Sequence, residues 1–284
     1  MARTKLPPTV RQRRLGAELR RLRESAELSA TQAGELFGAT QSRISNIEAG
    51  GYAVSADRVR ALTHLYGCTD DELIEALTGM TGGRTRGWWE EYREILPAGM
   101  LDLAELEHHA TYMRNVSVFH MPGVLQTTEH ARALISDALP ALALHEVEHR
   151  VSFRIKRQAV LYGDQPTPLT AVVHEAALRM GFGGPAVAQA QLDYLIKMSE
   201  RDNITLKVIP FGTGIFPISG QGIIYFGGDV SGLDTVQLDA DHGSEFLDTR
   251  PQLAHYRAIV DRMEACALAP AESRDAIRRI AQNL

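Results

Sequence analysis

The sequence predicts an all-α N-terminal domain of five short helices followed by a mixed α/β C-terminal domain. Three observations lead to this fold class. Apolar residues recur at helical spacing between capping residues within 1–80. A glycine-rich segment follows at 79–87, and strand-like runs appear only after Pro166. We therefore expect a first domain at 1–80, a linker at 79–87 and a second domain at 88–284.

The N-terminal helices are marked by apolar spacing and by residues that start or stop a helix. Leu15, Leu19 and Leu22 recur at helical spacing in the first helix. Gly38 ends the second helix, and Thr40 is a suitable N-cap for the third. The second to fifth helices are predicted at 31–37, 41–49, 56–66 and 70–77, with Ser55 capping the fourth and a capping box of Thr69 and Glu72 opening the fifth.

The C-terminal region changes its pattern along the chain. Helical spacing dominates at 88–118 and at 126–162. Strands are predicted at 169–174, 204–209, 222–226 and 235–238, with a helix beginning at Pro185 between the first two and helices at 250–266 and 270–282 closing the chain. Strands separated by helices indicate a mixed α/β domain.

Composition excludes several classes of protein. Of the 284 residues, 44% are hydrophobic and 23% are charged, which is a globular balance rather than that of a disordered chain. We expect no membrane span, because no apolar run approaches the required ~18 residues, and no secretory signal, because the basic N-terminus lacks an apolar segment. Cys68 and Cys266 are too few and too far apart for a disulfide framework. These features together predict a cytoplasmic protein.

Charge is distributed unevenly along the chain. Residues 1–50 carry nine Lys and Arg against five Asp and Glu, a net charge of +4. Residues 81–284 carry nineteen against twenty-five, a net charge of −6. This asymmetry favours a polyanionic partner for the N-terminal domain alone.

The segment from 28 to 50 carries the functional pattern. Ile44 and Ile47 place one face of the third helix toward the core, and a set of short polar side chains lies on the opposite face. Such side chains can contact base edges in the DNA major groove: Gln and Asn pair with adenine, and Ser with donors or acceptors. Arg43, Gln32 and a basic N-terminal arm are candidates for phosphate contacts. The opposite-face side chains are Gln41, Ser42, Ser45 and Asn46, and the arm comprises Arg3, Lys5, Arg11, Arg13 and Arg14.

The segments LRRLRESAELS, GATQSRISNIEAG and VRALTHLYG together resemble the Xre-type, lambda-repressor-like helix-turn-helix family. The resemblance implies binding to double-stranded operator DNA and a structural pair of Arg23 and Glu48. The chain departs from the family pattern at Ala30, where a Gln is usual and Gln32 follows two places later. The resulting candidate DNA-binding residues are Gln32, Thr40, Gln41, Ser42, Arg43, Ser45 and Asn46.

The rest of the chain, from about Trp88 to Ile280, resembles the C-terminal domain of WhiJ-like actinobacterial regulators. The segments that carry this resemblance are DLAELEHHATYMRNVSVFHMPGVLQTTEHARALI, RVSFRIKRQAVL, HEAALRM and GGPAVAQAQLDYLIKMSERDNITLKVIPFGTG. It implies an antitoxin-like arrangement with a small protein partner encoded nearby. Family members tend to carry a His where this chain has Phe216, and the resemblance implies no ligand or active site.

One motif offers an enzymatic alternative. His145, Glu146 and His149 match HExxH, which on a helix places two His on one face for zinc and offers Glu146 as a general base. Six of the ten His lie between 108 and 149, so a chance match is easy. We favour a solvated His/Glu face beside a buried stripe of Leu144, Val147, Val151 and Ile155.

Three weaker patterns have a structural interpretation that we prefer. His174 and Glu175 end a predicted strand, where a polar network is favoured over a catalytic pair. The glycines of 181–184 precede a helix and are favoured as a loop and cap over an anion site. The aromatic residues Trp88, Trp89 and Tyr92 are favoured as packing residues over a partner-binding patch.

We therefore expect a DNA-binding transcriptional regulator that is not an enzyme, with no cofactor, metal or catalytic residue. One helix-turn-helix contacts few base pairs, so we expect a homodimer on an inverted repeat. The alternatives are a hydrolase or metalloenzyme body, a small-molecule sensor, and an interaction protein whose N-terminal domain has lost DNA binding.

Overall fold

A computed structural model describes residues 7–81, 87–214, 216–218, 220–240 and 242–284. The chain forms two compact units. The first comprises 1–90 with 229–233, and the second comprises 91–228 with 234–284. Most of the predicted linker, 82–86, and the predicted arm residues Arg3 and Lys5 lie outside the described residues.

The first unit is helical, as the sequence predicts. Its helices are α1 (Val10–Ser25), α2 (Ala30–Phe37), α3 (Gln41–Glu48), α4 (Ala56–Leu65) and α5 (Asp71–Gly79). They bury one apolar core that includes Leu19, Ile44, Leu62 and Leu77. Because each short helix offers only one apolar face, the five helices are stable only when packed together.

Side-chain caps set where these helices begin. Thr9 opens α1 and Ser29 opens α2, each in a capping box with a Gln three residues on. The predicted capping box of Thr69 at α5 is wrong. Asp70 is the N-cap, and its carboxylate accepts from the Leu73 backbone N–H at 3.0 Å. A carboxylate at this position also interacts favourably with the helix dipole.

The second unit is mixed α/β, so the predicted fold class is confirmed. Its helices are α6 (Ala98–His109), α7 (Thr128–Ser136), α8 (Leu144–Arg157), α9 (Glu175–Arg179), α10 (Pro185–Met198), α11 (Arg250–Cys266) and α12 (Pro270–Ala281). Its strands are β1 (Tyr112–Ser117), β2 (Leu169–His174), β3 (Ile204–Ile209), β4 (Ile223–Gly227), β5 (Thr235–Ala240) and β6 (Gly243–Leu247).

The six strands form one sheet in the order β3-β2-β1-β4-β5-β6. The pairs β1–β2 and β2–β3 are parallel, and the pairs from β1–β4 to β5–β6 are antiparallel. The prediction of helix for 112–117 is wrong, because this segment is the central strand β1. Asn115 and Ser117 interrupt its apolar alternation, so the sequence gives no period-2 pattern.

The two faces of the sheet follow from the strand register. On one face, Val116, Ile223 and Leu238 lie in one row across β1, β4 and β5. They pack in one apolar core with Leu253, Val260 and Met263 of α11. Arg114 strengthens this contact, since it donates to Glu264 and Asp261 of α11 at 2.7 Å each. Alternation then places Asn115, Ile224 and Gln237 on the opposite face.

No helix within the described ranges is long and apolar enough to cross a membrane. Cys68 and Cys266 are both free thiols and partly buried.

Candidate nucleic-acid interface

The turn between α2 and α3 is a tight backbone contact. Gly38 ends α2 with φ +69°, a conformation that favours glycine. A Cβ at Gly34 would lie 2.8 Å from the Ala39 carbonyl oxygen. Both glycines therefore allow α3 to begin directly after α2, which is the arrangement of a helix-turn-helix.

A second pair of glycines holds the C-terminal end of α3 against α1. A Cβ at Gly16 would overlap the Glu48 carbonyl oxygen, and a Cβ at Gly50 would lie 2.9 Å from the Arg13 backbone nitrogen. Gly50 also has φ +71°. Close backbone approach at these points sets the position of α3 relative to α1.

Arg23 and Glu48 form a buried ion pair between α1 and the end of α3. Arg23 Nε donates to Glu48 Oε1 at 2.6 Å and its Nη2 to Oε2 at 2.9 Å, with both side chains less than a tenth exposed. The hydrogen bond to Glu48 raises the pKa of Arg23. Arg23 also donates to the Leu28 carbonyl at 2.6 Å. This bidentate contact fixes the orientation of α3 more firmly than apolar packing alone would.

The outer face of α3 consists of short polar side chains. Ile44 and Ile47 are buried, whereas Gln41 and Ser42 are exposed and Ser45 and Asn46 are half-buried. The two amide side chains of this face donate to residues four positions away along the helix. Gln41 Nε2 donates to Ser45 Oγ at 2.9 Å, and Asn46 Nδ2 donates to the Ser42 carbonyl at 2.7 Å.

These side-chain bonds orient the two amides without occupying their acceptors. The amide oxygens of Gln41 and Asn46 accept no hydrogen bond from the described residues. Each oxygen is therefore available to accept from an adenine N6–H group, while the amide nitrogen can exchange its intrahelical bond for N7. The sequence predicted the face but not this pairing along it.

The N-terminal end of α3 offers phosphate-binding groups. Thr40 is the N-cap, and its Oγ1 accepts from the Arg43 backbone N–H at 3.2 Å. Arg43 is exposed, and its guanidinium lies 5.8 Å from the centroid of the Tyr52 ring. Tyr52 is 50% exposed and was absent from the predicted site. An aromatic face beside an arginine restricts its side chain and orients its charge.

Gln32 lies at the first turn of α2, where helix N–H groups point outward. Its Oε1 accepts from the Ser29 backbone N–H at 2.9 Å as half of the capping box. The side chain of Gln32 is exposed, and its amide nitrogen donates to none of the described residues. Gln32 can therefore cap the helix with its amide oxygen and contact a phosphate with its amide nitrogen.

Part of the predicted basic arm belongs to α1 and serves the fold. Arg14 is 5% exposed and lies 3.7 Å from Glu18, so its predicted role in phosphate contact is wrong. Arg11 donates to the carbonyls of Gly79 and Met80 at 2.7 and 3.0 Å, at the C-terminal end of α5. Helical periodicity turns both side chains toward the protein, which a count of basic residues does not reveal.

The HExxH residues lie on α8, where both carboxylates of the segment have structural partners. Glu146 Oε2 accepts from the Ala143 backbone N–H at 2.7 Å as a helix cap. Glu148 accepts from Arg132 at 2.8 Å. Leu144, predicted as buried, is 77% exposed at the first residue of α8, whereas Val147 and Val151 of the same stripe are buried. Within the described residues no group of three His, Cys, Asp or Glu could hold a metal ion.

The other weak patterns have local structural roles. His174 Nδ1 accepts from the Ala176 N–H at 3.2 Å, and Glu175 accepts from the Phe211 N–H at 2.9 Å. Trp89 and Tyr92 are buried. Positive φ angles at 181, 183 and 184 make the glycine segment a loop that leads into α10.

The first unit matches a helix-turn-helix domain model over residues 14–77. The chain therefore contains a helix-turn-helix domain, and such a domain indicates a DNA-binding regulator. Residues 100–279 match the domain of unknown function DUF5753, and the chain belongs to that family. No curated protein and no solved structure matches the chain.

Proposed function

We propose that this chain is an Xre-type, sequence-specific transcriptional regulator whose α3 enters the major groove of double-stranded operator DNA. The observation that carries the proposal is the exposed face of α3 within a helix-turn-helix domain. Gln41, Ser42, Ser45 and Asn46 contact base edges, while Thr40, Arg43 and Gln32 contact phosphates. The Arg23–Glu48 pair orients the helix and does not touch DNA.

The test begins with selection of bound fragments from genomic DNA by the full-length protein. The selected site is then titrated against the wild type and two variants, Gln41→Ala and Asn46→Ala. Each variant should lose about 1–3 kcal/mol on the selected site and little on random DNA, because base contacts carry the discrimination. Ser25→Ala, an exposed uncharged residue of α1, serves as the matched control and should bind like the wild type.

Arg43→Ala tests the phosphate contact separately. This variant should weaken specific and random DNA alike and lower the salt slope by about one unit. Arg20→Ala, on the exposed surface of α1, is the control for loss of one charge. If Gln41→Ala and Asn46→Ala both keep wild-type discrimination, α3 is not the recognition helix.

We propose that the regulator binds as a homodimer on an inverted repeat, with half-sites about 10–10.5 bp apart or a multiple of that spacing. The C-terminal domain is the proposed dimerisation and signal-receiving part. The resemblance to WhiJ-like regulators supports a small protein partner in an antitoxin-like arrangement. Operator footprinting, the solution mass and mass spectrometry of copurifying proteins test these three points. A monomer on one unrepeated half-site would contradict the dimer.

A regulator of chromosomal DNA would act in the cytoplasm and need no catalytic centre. The capping role of Glu146 and the pairing of Glu148 support a non-enzymatic role for the HExxH segment. The double variant His145→Ala/His149→Ala should therefore keep operator binding. Elemental analysis that finds about one zinc per chain, lost in this variant, would favour the metalloenzyme instead.

A further inference from the structure

The second unit contains a cavity of ≈ 640 Å³ on the sheet face opposite α11. Its floor comes from the central strands β1, β4 and β5. Asn115, Ile224 and Gln237 form one row across these strands because their register pairs them directly. Helices α7 and α8 contribute the facing wall. The volume is in the range of small-molecule sites.

The floor carries a buried acceptor without a donor. Gln237 is 1% exposed, and its Nε2 donates to Asp239 at 2.6 Å and to Ser244 at 2.8 Å. These two bonds fix the orientation of the amide. Gln237 lines the cavity, and its Oε1 is buried and accepts no hydrogen bond from the described residues. A buried amide oxygen without a donor costs about 1–3 kcal/mol, so a donor supplied by a ligand would be favourable.

The facing wall carries an arginine stripe. Arg150, Arg154 and Arg157 lie at i, i+4 and i+7 on α8 and therefore share one helix face. Arg157 is neutralised by Glu107, to which it donates at 2.6 and 2.8 Å. The segment RVSFRIKR shows this spacing in the sequence. The prediction from sequence used only the His/Glu pattern and the apolar stripe of this helix, so it missed the arginine stripe.

Arg154 has a hydrogen bond but no ion pair among the described residues, although Asp239 and Glu107 act on it at longer range. Its Nη1 donates to the neutral amide oxygen of Gln126 at 2.6 Å, and its Nε is buried without a partner. Within the described residues neither Arg154 nor Arg150 forms an ion pair. Burial, and then the nearby Arg157, lower the pKa of Arg154 to about 10. Arg154 is half-buried, and a cation held partly away from water is stabilised by an anion.

The rest of the lining selects for an anion with an apolar body. Leu134, Ile135 and Val118 line the cavity beside the polar groups. Once Glu107 has neutralised Arg157, the lining residues that the structure describes carry Arg150 and Arg154 against Asp239, a net charge of about +1. That balance suits a monoanion better than a phosphate dianion.

We propose that this cavity binds a small organic carboxylate, with the carboxylate on Arg154, a hydroxyl or N–H group donating to Gln237 Oε1, and an apolar skeleton against α7. This site is independent of the DNA contacts of α3. Arginine suits this role because its planar guanidinium matches a carboxylate in bidentate geometry.

Calorimetric titration of the full chain tests the site with hexanoate, benzoate, phenylacetate and 4-hydroxybenzoate, each against its neutral amide, and with phenyl phosphate. At least one carboxylate should bind with a Kd below about 10 mM and about tenfold or more tighter than its amide. The Arg154→Met variant should weaken that binding about tenfold or more. Methionine has a side chain of similar length but lacks the positive charge and the N–H donors that would bind the carboxylate.

Two further variants separate loss of the site from loss of the fold. Arg278→Met, on the exposed surface of α12, should bind like the wild type. Leu134→Trp fills the cavity from its apolar wall without changing a charge, and it should abolish binding while operator affinity stays unchanged. Circular dichroism checks that each variant folds. If Arg154→Met does not fold, the amide comparison and Leu134→Trp decide the outcome.

Four results would overturn the proposal. Two concern the wild type: none of the carboxylates binds, or each neutral amide binds as tightly as its carboxylate. The third is that a carboxylate binds the folded Arg154→Met and Leu134→Trp variants as tightly as the wild type. The fourth is that phenyl phosphate alone binds.

Discussion

Each of the two units contains a buried arginine–glutamate pair, but the surroundings of the two pairs differ. Arg23–Glu48 in the helical unit joins α1 to α3, and the polar side chains of the proposed interface lie outside it in contact with water. Arg157–Glu107 in the α/β unit lies beside a second arginine, Arg154, whose Nε is buried without a partner.

The two units differ in where their unpaired polar groups lie, and the location determines what these groups cost in the free protein. A polar side chain on a surface keeps its water until a partner arrives, so it carries little cost in the free protein. A buried polar atom without a partner reduces stability for as long as it is unpaired. The helical unit therefore has the polar groups of its proposed DNA interface on the surface, whereas the α/β unit holds polar groups around a cavity.

The largest expected effect is at the pair in the α/β unit. Glu107→Leu should lower the free energy of unfolding by about 3–5 kcal/mol, because it leaves Arg157 buried and unpaired. Urea denaturation measures this loss, and hydrogen exchange locates it in the second unit. The double variant Glu107→Leu/Arg157→Met should recover most of the stability, since it removes both charges. A single variant as stable as the wild type would show that the pair is not needed.

The corresponding change in the helical unit has a functional readout as well. Glu48→Leu should cost about 3 kcal/mol of stability, because it removes the bidentate partner of Arg23 between α1 and α3 and leaves only Glu24, at 3.7 Å. Operator affinity should fall further than stability alone explains, since α3 loses its orientation. Glu75→Leu, which breaks an exposed pair with Arg60, is the control and should change stability by less than about 1 kcal/mol. Equal losses at both positions would contradict the comparison.

His130 gives the α/β unit a pH dependence. Its side chain is 2% exposed, and neither ring nitrogen has a partner among the described residues. Burial, then nearby His120 and Arg154, lower its pKa to about 4. Between about pH 6.5 and pH 4 the unfolded chain binds a proton that the folded chain excludes. Stability should therefore fall by about 3 kcal/mol as pH drops through this window.

The matched variants are His130→Leu and His255→Leu. The first should flatten the stability profile between about pH 6.5 and pH 4, and the second, at an exposed site, should leave it unchanged. Urea denaturation at several pH values provides both profiles. If His130→Leu keeps the full acid sensitivity, another group is responsible.

The smallest expected effect concerns the backbone of the helical unit. Glu27 has φ +55°, the single positive φ among the non-glycine residues that the structure describes. Glu27→Gly should raise the free energy of unfolding by about 0.5–1 kcal/mol, because glycine adopts this conformation without steric cost. Glu24→Gly, in the last turn of α1, should lower it by a similar amount. If Glu27→Gly instead lowers the free energy of unfolding, the Glu27 side chain makes a stabilising contact that outweighs the cost of its positive φ.

Predictability from sequence differs between the two units for a physical reason. The helices of the first unit follow from local caps and short-range spacing, so Thr40, Ile44 and Ile47 predict α3 and its exposed face. The strand β1 depends on pairing with β2 and β4, which are distant in the chain, so 112–117 gives no local pattern. Strand β6 and helix α9 are short and were likewise not predicted.

The sequence by itself determined the two-part fold class, the helix-turn-helix spacing and the polar face of α3, because each depends on residues within a few turns of one another. Only the tertiary structure decided that Arg14 is buried, that Glu146 caps a helix, and that Gln237 and Arg154 line one cavity. These outcomes depend on strand register and on contacts between residues far apart in the chain. Local periodicity carries no information about either.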